Sequence, residues 1–299
     1  MNLTHTWQKE YDQRPYLSHL TQQQLDERAK YLIEDLTTLE ANGKIGARDA
    51  SRDPGRWLWR LFTQTCQELS NRGSSFTKNF MSGAKVPKPA IAKADRLLEI
   101  GSLADKKKPQ IIKFGKQKYL EPGNLQVSLA STFADSSLNL ARMDDEMKAV
   151  FYPPPEEVEI TDLGGKPITD VNVLEFSMQI DREYYVFCAS HTFDYRLFGD
   201  FGADSCLFIY DSHKFTHEMF SELHKQIDIA DRAYKPVTYL DPVVPDSVDK
   251  TEIEFHKHLK YFYQNEYRFI FIPRVGDDIV THLYVSPQNL SRYSELIKL

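Results

Sequence analysis

The chain has 299 residues, a formal net charge of −6 and 41% hydrophobic residues, which is the composition of a globular protein. No apolar run approaches the roughly 18 residues of a membrane span, and the first residues lack the basic-then-apolar pattern of a signal peptide, so we expect a cytoplasmic protein without a membrane partner. Cys66, Cys188 and Cys206 stand far apart without a CxxC pair, which argues against a disulfide framework or a zinc site.

The charge is unevenly distributed along the chain. Residues 78–118 contain eleven basic and three acidic residues, so this segment carries +8 and the remainder carries −14. Its densest run is Lys106, Lys107 and Lys108. Such a segment can bind phosphates or an acidic partner, or it can be a lysine-rich linker in water. The composition leaves both readings open.

The first hundred residues are predicted to be helical, because apolar residues recur at helical spacing between capping signals. Thr21 is the expected N-cap of the first long helix, Pro54 opens the next, and Gly43 and Gly73 end them. The predicted helices cover residues 21–43, 53–73 and 90–100. Residues 74–89 are small, polar, basic and Pro-containing, which is typical of a linker. We therefore predict an N-terminal helical region, residues 1–87, and a second domain, residues 88–299.

From residue 109 onward the pattern changes to short strands. Strands are predicted at 111–115, 125–133, 171–180, 183–193, 206–211, 236–240, 264–272 and 282–286. Helices are predicted at 214–228, at 252–262 and at the C-terminus, and Asp181-Arg182 is predicted to turn a hairpin. Without a regular βαβ rhythm, this mixture predicts the α+β class. Neither a Rossmann fingerprint nor a P-loop is present.

Two segments place polar groups on otherwise apolar strands. In residues 125–133 one predicted face is apolar and the other is small and polar, which leaves room for a ligand. Downstream, the acidic run 144–146 has no second cluster of ligands, so no metal site is predicted. In "YFYQNEYRFIFI", residues 261–272, alternation places Gln264, Glu266 and Arg268 on one face and aromatic residues on the other. That row is either the wet face of an edge strand or a site.

Three blocks of the sequence resemble a bacterial family of ADP-ribosyltransferase-like proteins. They are "KFG" with the small-polar strand and "FADSSLN", then "YYVFCASHTFDYRLFGDFGADSCLFIYD", and finally "YQNEYRFIFI" with its Gln-x-Glu-x-Arg pattern. The likeness spans roughly residues 109–290. It implies a split β-sheet that holds NAD, as substrate, in a cleft.

The resemblance also implies roles for individual residues. Glu266 matches the glutamate that stabilises the oxocarbenium-like transition state, Gln264 holds the acceptor nucleophile, and Arg268 pairs with the pyrophosphate. The other residues expected to bind NAD are Lys113, Phe114, Gly115, Tyr119, Ser128, Thr132, Asp135 and Asn139. The first strand departs from the family pattern, since Lys113 stands one position before the usual Arg or His and lacks the planar fork of Arg.

Members of this family without a secretion signal are often toxins or phage-defence effectors, which implies an antitoxin protein as a further partner. We therefore expect transfer of ADP-ribose from NAD to a macromolecule, either nucleic acid or protein. Hydrolysis of NAD and non-catalytic binding of a nucleic acid or partner are the alternatives. Glu266→Gln is expected to abolish transfer and leave the fold intact, and a fragment starting near Pro87 is expected to retain NAD binding.

Overall fold

In the computed structural model, all residues are described except 1–2, 40–44, 75–92, 123, 136, 139–144, 146, 170, 245–251, 275 and 277–278. The helices are α1 (Leu3–Gln13), α2 (Gln22–Leu36), α3 (Gly55–Asn71), α4 (Ala94–Lys107), α5 (Arg196–Asp200) and α6 (Ser212–Leu223). The strands are β1 (Thr37–Leu39), β2 (Ile45–Ala47), β3 (Ile111–Gly115), β4 (Leu125–Leu129), β5 (Lys148–Phe151), β6 (Phe176–Gln179), β7 (Tyr185–Ser190), β8 (Ser205–Ile209), β9 (Ile229–Pro236), β10 (Thr238–Leu240), β11 (His256–His258), β12 (Glu266–Pro273), β13 (His282–Val285) and β14 (Ser294–Lys298). The predicted α+β class is confirmed.

The N-terminal region is helical, as predicted. Thr21 caps α2 through a capping box with Gln24, which satisfies backbone donors at the start of the helix. Helix α2 ends at Leu36, where the backbone turns into β1 and pairs with β2, so the predicted end at Gly43 is wrong. Helix α3 ends at Asn71 and is followed by Gly73 in a left-handed conformation. The predicted linker 74–89 lies outside the described residues, apart from Ser74.

The second region is built on an eight-stranded antiparallel sheet. Its strands run in the order β13-β4-β7-β3-β8-β14, and β12 pairs with β7 and with β9. One face packs against α6, with Phe215 and Met219 in the same buried cluster as Phe187 and Phe269. The cluster on the opposite side includes residues of α4, of α5 and of β3 and β8.

Strand β7 divides the sheet. On one side it pairs with β12 along its whole length. On the other side it pairs with β4 through Tyr185 and Val186 and with β3 through Ser190. Strands β3 and β4 therefore separate beside residues 187–189, and a cleft opens there.

Three sequence predictions are wrong for the same physical reason, namely that distant strands decide the pairing. Strand β6 pairs with β5 and not with β7, so Asp181-Arg182 does not turn a hairpin between them. Residues 252–262 form two 3₁₀ turns around the short strand β11, which pairs in parallel with β10. The C-terminal residues form β14, which pairs with β8. Strand β9, which borders β12, was not predicted.

The helical region packs onto the strand region through a buried polar contact. The guanidinium of Arg28 on α2 donates two hydrogen bonds of 2.6 Å to the carboxylate of Asp241. Asp35 on the same helix accepts a 3.1 Å hydrogen bond from the backbone N–H of Tyr263. Leu32, Leu36 and Leu259 belong to one apolar cluster across this contact. The two predicted regions thus share a buried interface.

Candidate active site

The opening in the sheet is a cleft of about 310 Å³. Its floor is β7 from Val186 to Ser190, and its walls come from β3, β4 and the start of β12. This volume lies at the lower end of the range for small-molecule sites, roughly 300–1,000 Å³. Among the residues that the structure describes, the charged ones that line it are Lys113, Lys116, Lys257 and Glu266, which are three cations and one anion.

The polar row of the late strand lies inside the protein and not on an edge. Strand β12 has a partner on each side, β7 and β9, which rules out the wet-edge reading. Gln264, Glu266 and Arg268 are 3%, 5% and 0% exposed. The strand begins at Glu266 rather than at Gln264, because Asn265 takes a left-handed conformation with φ 44° and ends the preceding 3₁₀ turn. Gln264 and Glu266 both line the cleft.

Glu266 is held by two cations. One carboxylate oxygen, Oε2, accepts a 2.8 Å hydrogen bond from Lys257 Nζ, and the other, Oε1, accepts a 2.9 Å hydrogen bond from Arg268 Nε. Burial alone would raise the pKa of Glu266, but the charges of Lys257 and Arg268 outweigh it and hold the pKa well below its ordinary range. The backbone N–H of Glu266 donates to Tyr239 Oη at 2.7 Å. The carboxylate is therefore ionised and fixed.

Gln264 is anchored through its backbone. Ser190 Oγ on β7 donates a 2.8 Å hydrogen bond to the carbonyl oxygen of Gln264. The backbone N–H of Tyr263, one residue earlier, donates to Asp35. Burial raises the pKa of Asp35 to about 8. The segment that presents Gln264 is thus tied to the sheet on one side and to helix α2 on the other.

The first strand brings Lys113 to the wall of the cleft between two buried neighbours, Ile112 and Phe114. Its Nζ lies 4.7 Å from the centroid of the Phe187 ring, a distance at which a cation and an aromatic face attract. Across the cleft, Ser128 on β4 is 7% exposed. Its Oγ accepts a 3.1 Å hydrogen bond from Gln126 and lies 3.0 Å from the ring of His282.

Most of the residues predicted for the site come together in this cleft. The predicted residues that line it are Lys113, Phe114, Gly115, Tyr119, Ser128, Gln264 and Glu266. Two other predicted residues stabilise the turn after β4 instead. The hydroxyl of Thr132 donates a 2.6 Å hydrogen bond to the backbone oxygen of Leu129. The exposed carboxylate of Asp135 accepts a 2.8 Å hydrogen bond from the backbone N–H of Ser137. Asn139 lies outside the described residues.

Arg268 is placed differently from its expected contact with a pyrophosphate. Its side chain is fully buried, and besides Glu266 it donates a 2.6 Å hydrogen bond to the backbone oxygen of Glu254. It is not among the residues that line the cleft. The guanidinium is therefore positioned to hold Glu266 and not to reach a ligand.

Lys257 and Cys188 were not predicted as site residues. Both line the cleft, and the Cys188 thiol is hydrogen-bonded to the Glu266 carboxylate. The only signal for Lys257 is the alternation His256-Lys257-His258-Leu259, which is too short to indicate a strand with one buried face. Cys188 lies in an apolar run that predicts only a buried strand.

The basic run Lys106, Lys107 and Lys108 lies on the protein surface. The three lysines are exposed around the C-terminal end of α4, and Lys107 forms an ion pair with Glu295.

Within the part of the chain that the structure describes, no helix is long and apolar enough to cross a membrane.

Comparisons with protein-family models, with curated proteins and with solved structures found no match. Assignment of a function therefore depends on the chemistry of the cleft.

Proposed function

We propose that the protein is an ADP-ribosyltransferase, which cleaves NAD between nicotinamide and ribose in this cleft and transfers ADP-ribose to a macromolecule. The observation that carries the proposal is the buried carboxylate of Glu266, 5% exposed and held by Lys257 and Arg268, on the wall of a cleft that divides the sheet. Gln264 lies beside it on the same wall. The division of the sheet supports the split-sheet fold that the sequence resemblance implies.

The charge of the cleft suits a ligand that carries phosphates. Among the described residues that line it, three of the four charged side chains belong to lysines. A lining with this balance attracts an anionic ligand. The pyrophosphate of NAD meets this requirement, and Lys113 and Lys116, which come from β3 and the residue after it, are the lysines proposed to receive it. Lys116 also lies 3.8 Å from the carboxylate of Asp204.

In the proposed reaction the carboxylate of Glu266 acts on the ribose of NAD. When the bond between C1′ of the ribose and the pyridinium nitrogen breaks, its electron pair leaves with nicotinamide, which becomes neutral. The positive charge moves to the ribose, where Glu266 stabilises it electrostatically. A nucleophile of the acceptor then forms a bond to C1′ and loses its proton to solvent. The side-chain amide of Gln264 orients that nucleophile.

The test is incubation of the purified protein with NAD labelled in its adenylate part, in the presence of RNA, DNA or a protein extract. We expect nicotinamide to be released and the label to appear on one class of macromolecule. Glu266→Asp keeps the charge but shortens the side chain, and it should reduce nicotinamide release. Gln264→Ala should reduce transfer more than NAD cleavage, whereas Gln23→Ala, an exposed glutamine on α2, should change neither.

The product pattern separates the alternatives. Free ADP-ribose without labelled macromolecule would replace the transferase by an NAD hydrolase. If neither nicotinamide nor label appeared with any acceptor, the proposed reaction would be refuted. A nucleic-acid acceptor guided by Lys106, Lys107 and Lys108 predicts that their joint change to Ser weakens acceptor binding and reduces its salt dependence, by roughly 0.7–0.9 in log–log slope for each lost phosphate contact.

A further inference from the structure

Glu266 lies between two buried cations that reach it from different parts of the fold. Arg268 follows two residues later on the same strand, so both side chains point to one face. Lys257 comes from β11, which belongs to the small parallel pair β10-β11 and not to the main sheet. Lys257 is 6% exposed and Arg268 is 0% exposed. We refer to Lys257 and Arg268 as the clamp.

The two members of the clamp occupy different oxygens of the carboxylate. Lys257 Nζ contacts Oε2 and Arg268 Nε contacts Oε1, at 2.8 and 2.9 Å. A carboxylate can accept about four hydrogen bonds, so capacity remains on the carboxylate for a hydroxyl of a bound ribose. Fixing both oxygens stops rotation of the group, and the geometry of the side chain no longer depends on the substrate.

We propose that Lys257 is a positioning residue for Glu266, which together with Arg268 fixes the carboxylate in the orientation and charge state that the reaction needs. The catalytic part of this inference rests on the proposed function. Lys257 is the informative member of the clamp because it lines the cleft and comes from outside the main sheet.

The surroundings of Glu266 agree with this role. Within the described part of the chain, the groups that surround it are Lys257 from β11, Arg268 from β12, the thiol of Cys188 from β7 and the hydroxyl of Tyr239 from β10, which accepts from the backbone N–H of Glu266. Burial and the nearby Glu266 charge raise the pKa of Tyr239, so this hydroxyl stays neutral. Both charged groups in this set are cations. Loss of the Lys257 charge should therefore make Glu266 easier to protonate.

The experiment compares wild type, Lys257→Met and Lys257→Arg, with Lys260→Met as the control. Lys260 is exposed three residues away, so its change removes the same charge outside the cleft. The first measurement is the ¹³C chemical shift of the Glu266 carboxyl as a function of pH, which needs no activity; the signal is identified by its loss in Glu266→Gln. The second is kcat and KM for nicotinamide release across the same pH range.

In wild type the Glu266 signal should not titrate near the ordinary pKa of a glutamate, about 4.3. In Lys257→Met its midpoint should rise by about 1–3 pH units relative to wild type, and the acid limb of kcat should move with it. We expect kcat to fall about 100-fold, the cost of a misplaced catalytic group, with little change in KM. Lys257→Arg should restore most of the loss, and Lys260→Met should behave as wild type.

Two results would overturn the inference: a wild-type Glu266 that titrates at 4.3 or above, or a Lys257→Met protein with unchanged titration and kcat. If Lys257→Met does not fold, the inference is still tested by the titration of Glu266 in wild type and by the titration and kcat of Lys257→Arg. Wild-type protein that releases no nicotinamide would refute the proposed function alone, because the titration of Glu266 reports on the clamp independently.

Discussion

Glu266→Gln changes both the stability and the activity of the protein, and the stability effect can be worked out from the contacts of the side chain. Glutamine keeps the shape and the hydrogen-bonding capacity of the glutamate but carries no charge. Lys257 and Arg268, 6% and 0% exposed, would then remain buried without their anion. Removal of one partner from a buried ion pair costs about 3–5 kcal/mol, against a total of about 5–15 kcal/mol for a typical protein. The sequence-based expectation that this variant leaves the fold intact is therefore revised.

The loss should be visible in thermal and urea unfolding. At roughly 2–4 °C per kcal/mol, the expected decrease in Tm is about 6–20 °C. Because the pKa of Glu266 is lowered in the folded state, the stabilisation is complete above the ordinary glutamate pKa of about 4.3 and is lost as the pH falls below it. The difference between wild type and variant should therefore be constant near neutral pH and shrink in acid.

A second substitution separates the charge effect from a general disturbance of the site. Lys257→Met together with Glu266→Gln leaves one buried cation instead of two, so the double variant should be more stable than Glu266→Gln alone. Activity of Glu266→Gln, measured where the variant is folded, should fall by about 10²–10³-fold. A Glu266→Gln protein within about 1 kcal/mol of wild type would refute the reasoning, since an unpaired buried charge costs at least that much.

Three further expectations follow from other contacts. Lys113→Met removes a cation from the cleft wall and should raise the Kd for NAD, measured by calorimetry, whereas the exposed Lys225→Met should not. Burial raises the pKa of Asp35 to about 8 in the folded protein, so the folded protein binds more protons than the unfolded chain between about pH 4 and 8. The free energy of unfolding, measured in urea, should therefore fall as the pH rises through this range, and Asp35→Asn should remove this pH dependence. A fragment starting near Pro87 should lose NAD binding or aggregate, contrary to the sequence-based expectation, because it leaves Asp241 without Arg28 and exposes Leu259; a folded fragment with normal affinity would contradict the shared interface.

Local signals predicted the parts of the fold that depend on local physics. Thr21 marked the start of α2 because a capping box needs only two residues that are three positions apart. The strand of Phe269 and Phe271 followed from its aromatic alternation, and both side chains are buried. The partners of a strand do not follow from its own sequence. Strand β14 was therefore mistaken for a helix, since its pairing with β8 depends on a segment about ninety residues earlier.

In the candidate site, too, local sequence predicted some features, whereas others depend on distant segments. Glu266 and Gln264 could be singled out because polar residues in a buried-looking strand conflict with their surroundings. That conflict does not identify the residues that pair with the charge of Glu266. Arg268 was expected to face a ligand, and only its contact with Glu266 showed that it faces inward. Lys257 reaches Glu266 through the pairing of β10 with β11, which no local pattern encodes.

The division of the sheet beside β7 leaves an edge in the interior of the protein. Along an antiparallel strand, backbone groups of alternate residues point to opposite sides. His191 donates to Asn265 on the β12 side, whereas Tyr184 accepts from Ala130 on the β4 side, so even-numbered residues of β7 direct their N–H and C=O away from β12. The N–H and C=O of Cys188 therefore point into the opening. A molecule bound there occupies the place of a missing strand, and exchange of the Cys188 amide hydrogen with solvent should slow when the cleft is filled.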